Sequence, residues 1–150
     1  MKGRTYRYFE GEPLWPFGYG LSYTAFIYSN LKLPDAPLNA GDPLHASVTV
    51  TNTGKLAGDE VVQLYLKFPD VAGAPRRALR GFQRIHLDPG ASQKVEFHLS
   101  PRDLSTVTDL GDIMVAQGKY TVSIGGAQPE TGGPSASGNF EVTGQIMLPE

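Results

Sequence analysis

The chain has 150 residues, of which 40% are hydrophobic and 19% charged, with 18 glycines, 12 prolines, no cysteine and a formal net charge of −2. This excludes a disordered chain, disulfide or thiolate chemistry, a cysteine-based zinc site and the broad basic face that nucleic acid requires. No apolar run approaches the ~18 residues of a membrane-spanning helix, so neither nucleic acid nor membrane is an expected partner, and no cofactor is expected.

The first twelve residues, MKGRTYRYFEGE, lack the apolar segment of a signal peptide. The residues leave the compartment open; a longer parent protein in the periplasm or outside the cell is compatible with them. Residues 1–24 carry no long alternation and read as a leader ahead of a domain spanning 25–150. Within the leader, PLWPFGYGLSYTAF gathers Trp15, Phe17, Tyr19, Tyr23 and Phe26 around Gly18 and Gly20. The irregular spacing suits a folded-back loop better than a strand. Aromatic rings set close together in this way mark an interaction site, a sugar platform or part of the core.

LHASVTVTN alternates, with Leu44, Ala46, Val48 and Val50 on one face and His45, Ser47, Thr49 and Thr51 on the other. That period of two predicts a half-buried strand. NTGKLAGDE turns the chain. VVQLYLKF is the next strand, with Val62, Leu64, Leu66 and Phe68 inward and Val61, Gln63, Tyr65 and Lys67 outward. Pro69–Ala78 is a loop containing Asp70, Arg76 and Arg77; it is long for a hairpin, and its arginines suit sugar hydroxyls or carboxylates. LRGFQRIHL puts Leu79, Ile85 and Leu87 on one face and Phe82 on the other, which a bulge near Gly81 reconciles. QKVEFHL places Val95, Phe97 and Leu99 inward. SPRDLS predicts one helical turn, capped by Ser100 with Pro101 in first position. KYTVSIGG places Tyr120, Val122 and Ile124 inward, GGAQPETGGPSASG is a loop, and NFEVTG closes the sandwich with Phe140 and Val142 inward. About seven short strands and no long helix predict an all-β, antiparallel two-sheet sandwich of the immunoglobulin-like type.

Catalytic signatures are missing from this pattern. The sequence holds no G-x-S-x-G, no phosphate-binding G-x-x-x-x-G-K-[ST] and no H-E-x-x-H. His45, His86 and His98 fall on different strands without a third ligand to complete a metal site, so no metal residue is expected. The carboxylate pairs Asp59/Glu60 and Asp109/Asp112 read as turn-forming and solvated. Glycoside cleavage needs two carboxyls facing one pocket, which neighbours on a strand do not provide.

YRYFEGEPLWPFGYGLSYTAF resembles the junction segment of family 3 glycoside hydrolases, the β-glucosidase and β-xylosidase family. The resemblance continues through VTVTNTGKLAGDEVVQLYL, LRGFQRIHLDPGASQKVEFHLSPRDLS, GKYTVSIGGAQP and GNFEVTG. It implies a C-terminal fibronectin type III-like domain. It further implies that the catalytic nucleophile and the acid/base belong to preceding domains, so that no catalytic residue transfers to this chain. The implied role is structural: the domain supports and docks the catalytic domains, with Trp15, Phe17, Tyr19 and Tyr23 as interface candidates and the loop of Asp70, Arg76 and Arg77 leaning toward the substrate cleft. IGGAQP lies slightly nearer the xylosidase-like members, and glucoside or xyloside specificity stays open. The alternative is a module that binds oligo- or polysaccharide through its exposed aromatics.

Overall fold

The computed structural model describes residues 5–8, 10–11, 14 and 22–149. Eleven strands and one helical turn follow one another: β1 (Phe26–Lys32), β2 (Leu38–Asn39), β3 (Leu44–Asn52), β4 (Gly58–Lys67), β5 (Ala78–Leu87), β6 (Ser92–Leu99), α1 (Pro101–Leu104), β7 (Thr106–Val107), β8 (Ile113–Val115), β9 (Gly118–Gly125), β10 (Ser135–Thr143) and β11 (Ile146–Leu148). One sheet has the order β1-β3-β6 and the other β2-β10-β9-β4-β5. Their long pairings are antiparallel, and the two-residue β2 joins β10 in parallel. The short strands β11, β8 and β7 make a small third sheet. These short strands and β2 lie below the length at which alternation can be read from sequence.

The alternations expected of β3, β6 and β9 hold. Leu44, Val48, Val50, Val62, Leu64, Leu66, Val95, Val122 and Ile124 are buried between the sheets. Each such side chain contributes about 1.5–3 kcal/mol by leaving water. Tyr120 lies among them, stacked on Phe140 at 5.1 Å and edge-on to Phe68 at 6.0 Å. Its hydroxyl donates to Ala116 O at 2.9 Å and accepts from Ala116 N at 3.1 Å. A tyrosine at the start of a strand, bonded to backbone a few residues upstream, is the corner device of immunoglobulin-type sandwiches. The expected helical turn also forms: the Ser100 side chain accepts from Asp103 N, and the Asp103 carboxylate accepts from Ser100 N, completing a capping box.

The bulge expected near Gly81 forms, and two local expectations need correction, the facing of Leu79 and the start of β10. The bulge in β5 lies at Arg80: Leu64 pairs with Gly81 and Tyr65 with Leu79, leaving Arg80 without a partner position. The bulge therefore reverses parity before Gly81. Ala78 and Gly81 face inward, Leu79 sits outward beside Tyr65, and Phe82 is 69% exposed. Gly81 is required there, because a Cβ would lie 2.9 Å from Cδ1 of Phe97. Second, β10 begins at Ser135, inside the stretch read as loop. Its Gly138 shows no apolar signal because Leu33 and Leu31 fill the place of its side chain; a Cβ would meet Leu33 Cδ1 at 2.9 Å.

Asn52, at the end of β3, is fully buried. Its Nδ2 donates to Leu56 O at 2.8 Å and Leu87 O at 2.9 Å, and its Oδ1 accepts from Thr24 Oγ1 at 2.7 Å and Gly54 N at 3.0 Å. The amide thus closes the β3–β4 turn and fastens it to the end of β5 and to the residue that leads into β1. A side chain at Gly54 would collide with this arrangement, its Cβ falling 1.9 Å from Thr24 Oγ1.

Two stability outcomes follow, both read by urea denaturation. Val122→Ala lowers the unfolding free energy by about 1–3 kcal/mol; a neutral result contradicts its central position. Asn52→Ala costs at least about 2 kcal/mol, because it strands buried carbonyls and an N–H, whereas Asn139→Ala on the exposed face changes stability by less than about 0.5 kcal/mol.

Candidate interdomain surface

The leader folds back on the sandwich. Residues 5–8 form a turn, with Tyr8 N donating to Thr5 O at 3.1 Å. Arg76 N donates to Arg7 O at 3.0 Å, and Leu79 N donates to the Tyr6 hydroxyl at 3.2 Å. The Tyr6 ring stands edge-on to Tyr65, with centroids 6.3 Å apart and planes at 86°. Tyr65 lies on the outward face of β4, yet it is 1% exposed. Its hydroxyl donates to Gln63 Oε1 at 2.7 Å, and Gln63 Nε2 donates to Gly126 O at 3.0 Å. Burial, then the neighbouring Tyr6, raises the Tyr65 hydroxyl pKa well above its ordinary value. The alternation of β4 correctly sets Tyr65 outward; that a segment over fifty residues upstream covers it has no signal in a period-two pattern.

Of the four aromatics expected at an interface, Trp15, Phe17 and Tyr19 lie outside the described residues. Tyr23 is described and is 95% exposed, as is the leader residue Leu14. One residue further, Thr24 is held by Asn52. Between two fixed points, residues 5–8 and Thr24, the chain carries its densest aromatic stretch.

The loop after β4 is more constrained than its composition suggests. Arg77 is largely covered; its guanidinium donates to Pro129 O at 2.6 Å and pairs with Glu130, stapling this loop to the one between β9 and β10. Arg77 first, by hydrogen bond and by charge, lowers the Glu130 pKa. Arg76 is exposed, with its backbone engaged by the leader, and Asp70 is exposed. Asp109 packs against Gly73, where a Cβ would lie 2.4 Å from its carboxylate oxygen. The loop is therefore anchored on three sides.

The remaining titratable groups sort into structural pairs. Asp59 and Glu60 lie within β4, not in the preceding turn, because pairing with β5 extends back to Gly58. They point to opposite faces. Asp59 accepts from Arg84 and from His86 Nδ1 at 2.6 Å, and these bonds lower its pKa, with His86 the larger cause. Glu60 is half-buried, and burial raises its pKa. Asp109 and Asp112 stay in the β7–β8 turn. His45 and His98 prove to be direct cross-strand partners on β3 and β6, with Nδ1 atoms 2.5 Å apart. Among the described residues no three such groups gather around a metal position, and no helix is long and apolar enough to cross a membrane. Asp59 and Glu60, on opposite faces of β4, do not share a cavity, and among the described residues Glu96 is the one carboxylate in the walls of three surface recesses.

A sandwich with a tyrosine corner and a tethered upstream segment agrees with the sequence comparisons. The fibronectin type III-like domain family matches residues 60–128. A putative β-xylosidase from Formosa agariphila is 42% identical over 125 residues, covering 81% of this chain and 16% of that protein. A probable β-glucosidase D from Aspergillus flavus is 44% identical over 142 residues, covering 81% of this chain and 19% of its own length. The solved structure of β-glucosidase 3B from Thermotoga neapolitana superposes with a TM-score of 0.82 at 33% identity, covering 95% of this chain and 19% of that one. The fold and the family match define a fibronectin type III-like domain. More narrowly, the chain belongs to the fibronectin type III-like domains of family 3 glycoside hydrolases. It spans less than a fifth of the length of these relatives.

The pH dependence of stability follows from the Asp59 cluster. Because its folded-state pKa is lowered, Asp59 adds stability above the ordinary carboxylate range and loses it as pH falls through the folded value. Asp59→Asn should lower Tm at neutral pH, and the difference from the unsubstituted chain should close below pH ~3. A difference that is constant across pH contradicts the assigned pairing.

Proposed function

We propose that this chain is the accessory sandwich domain of a longer β-glycosidase, one that cleaves β-glucosides or β-xylosides with retention through a glycosyl-enzyme intermediate. In this reading residues 1–24 are the junction from the catalytic region and 25–150 the domain. Its work is to hold the catalytic domains in place. Trp15, Phe17, Tyr19 and Tyr23 pack against them, and the loop of Asp70, Arg76 and Arg77 approaches the cleft rim. The observation that carries the reading is the leader clamped at Tyr6–Arg7 and at Thr24, in a chain that covers only 16% and 19% of two relatives named as glycosidases. Tyr23 and Leu14 are exposed beside these clamps, and large exposed apolar surface is normally covered by a partner.

A second reading, a carbohydrate-binding module, is favoured by the exposed rings of Tyr23 and Phe82. It predicts that xylan or cellulose fragments at millimolar concentration change Trp15 fluorescence.

The test uses aryl β-glucosides and aryl β-xylosides. The purified chain alone should show no turnover, and mixing it with the separately expressed sequence encoded upstream of Met1 should restore it. Turnover by the 150 residues alone, or an upstream sequence that works equally well without them, overturns the proposal. Trp15→Ala should weaken the complemented activity far more than it lowers the isolated chain's Tm; equal effects contradict the interface.

A further inference from the structure

Three arginines from three separate segments line one recess of about 290 Å³: Arg7 from the leader, Arg80 from the β5 bulge and Arg102 from α1, with Tyr8, Thr106 and Ile113 around them. Among the described residues their positive charge is poorly matched. Asp103 is the acidic group that acts on Arg80, and its carboxylate already accepts from Ser100 N at 2.8 Å and Ser100 Oγ at 2.6 Å. Arg80 donates one bond to Ser105 O at 2.8 Å and lies over the Phe68 ring at 5.3 Å. Arg102 donates to Pro149 O at 2.9 Å, and Arg7 lies over the Tyr8 ring at 5.8 Å. Arg7 Nε, Arg80 Nε and Thr106 Oγ1 are shut off from solvent without a hydrogen-bond partner among the described residues. Buried donors left unmatched are costly, and buried guanidiniums even more so. Burial, and after it the Arg7 charge, weakens the hold of Arg80 on its proton. The bulge explains the geometry: the extra residue in β5 turns Arg80 off the sheet toward α1 and the leader.

We propose that this recess receives a carboxylate side chain from the part of the longer enzyme outside this chain. An aspartate or glutamate supplies the acceptors the recess lacks, in the planar geometry that matches a guanidinium fork. The occupant is assigned to the neighbouring domain because one wall of the recess, Arg7 and Tyr8, belongs to the segment that joins the two domains in the reading above. The assignment rests on the accessory-domain reading above.

Two measurements separate the site from its occupant. In the first, arginine Nε–H resonances of the 150-residue chain are followed by NMR while acetate replaces chloride at constant ionic strength, with inorganic phosphate as a second probe. Acetate should shift Arg7 and Arg80 saturably and leave Arg84 unmoved, and Arg7→Gln, which alters only the leader, should weaken this at least tenfold. Acetate behaving like chloride, or phosphate binding more tightly than acetate, overturns the proposal. In the second, association with the separately expressed upstream sequence is measured. It should displace acetate, and Arg7→Gln and Arg80→Gln should each weaken it at least tenfold while Arg84→Gln does not. Association with acetate still bound, or unaffected by both variants, overturns the carboxylate assignment. If the unsubstituted chain binds acetate but never associates, the accessory-domain reading fails and the neighbouring-domain occupant with it, leaving only a free-anion site.

Discussion

The buried amide of Asn52 joins the ends of β3 and β5, strands of different sheets that do not pair with each other. β3 belongs to one sheet and β5 to the other, and Thr24 precedes both. All four hydrogen-bonding positions of the Asn52 side chain are filled, two of them by carbonyls on different segments. Its backbone is engaged as well, with Asn52 N donating to Ala91 O and Gly90 N donating to Asn52 O. A fully satisfied polar group in a low-dielectric interior fixes geometry more sharply than apolar contacts, which tolerate sliding. The sandwich thus acquires a defined corner, and the point at which the leader becomes β1 is fixed relative to both sheets.

From that corner the organisation of the interdomain surface follows. The leader is held at Thr24 and again at Tyr6 and Arg7, where it covers Tyr65 and meets the β5 bulge. The Arg77 staple fixes the adjoining loop. The two clamps sit toward opposite ends of the β4–β5 pair, Tyr6 beside Tyr65 and Leu79 and Thr24, through Asn52, beside Leu87. A domain attached through two anchored points transmits position to its neighbour better than one on a flexible tether. That is the physical content of calling such a domain structural: it restricts where the catalytic parts sit without contributing a reacting group.

Much of the fold was legible because it rests on alternation. Leu44 to Val50, Val62 to Phe68, Val95 to Leu99 and Tyr120 to Ile124 declare their inward faces at a period of two, and Ser100–Pro101 declares a helical start. What escaped was long-range. Tyr65 and Gln63 are buried on an outward face because distant segments cover them. The true start of β10 was hidden because Gly138 gives up its side chain to Leu31 and Leu33. A bulge near Gly81 was expected from the broken parity of the strand, but that it turns Arg80 into the arginine recess was not. His45 and His98 were assigned to different strands correctly, but only the register brings them face to face. Of the aromatics expected at an interface from the sequence, Tyr23 is exposed and Trp15, Phe17 and Tyr19 lie outside the described residues.

The bulge has a further consequence. β5 is the outer strand of its sheet, and β1, the outer strand of the other, also carries an extra residue, at the irregularity between Ser29 and Lys32 where Asn30 adopts a positive φ. Regular edges invite another chain to add a strand, and irregular ones refuse it. The same distortions that aim Arg80 at its recess and bend β1 over β10 therefore blunt two edges against open-ended stacking. The sandwich is in this way kept from polymerising along its edges.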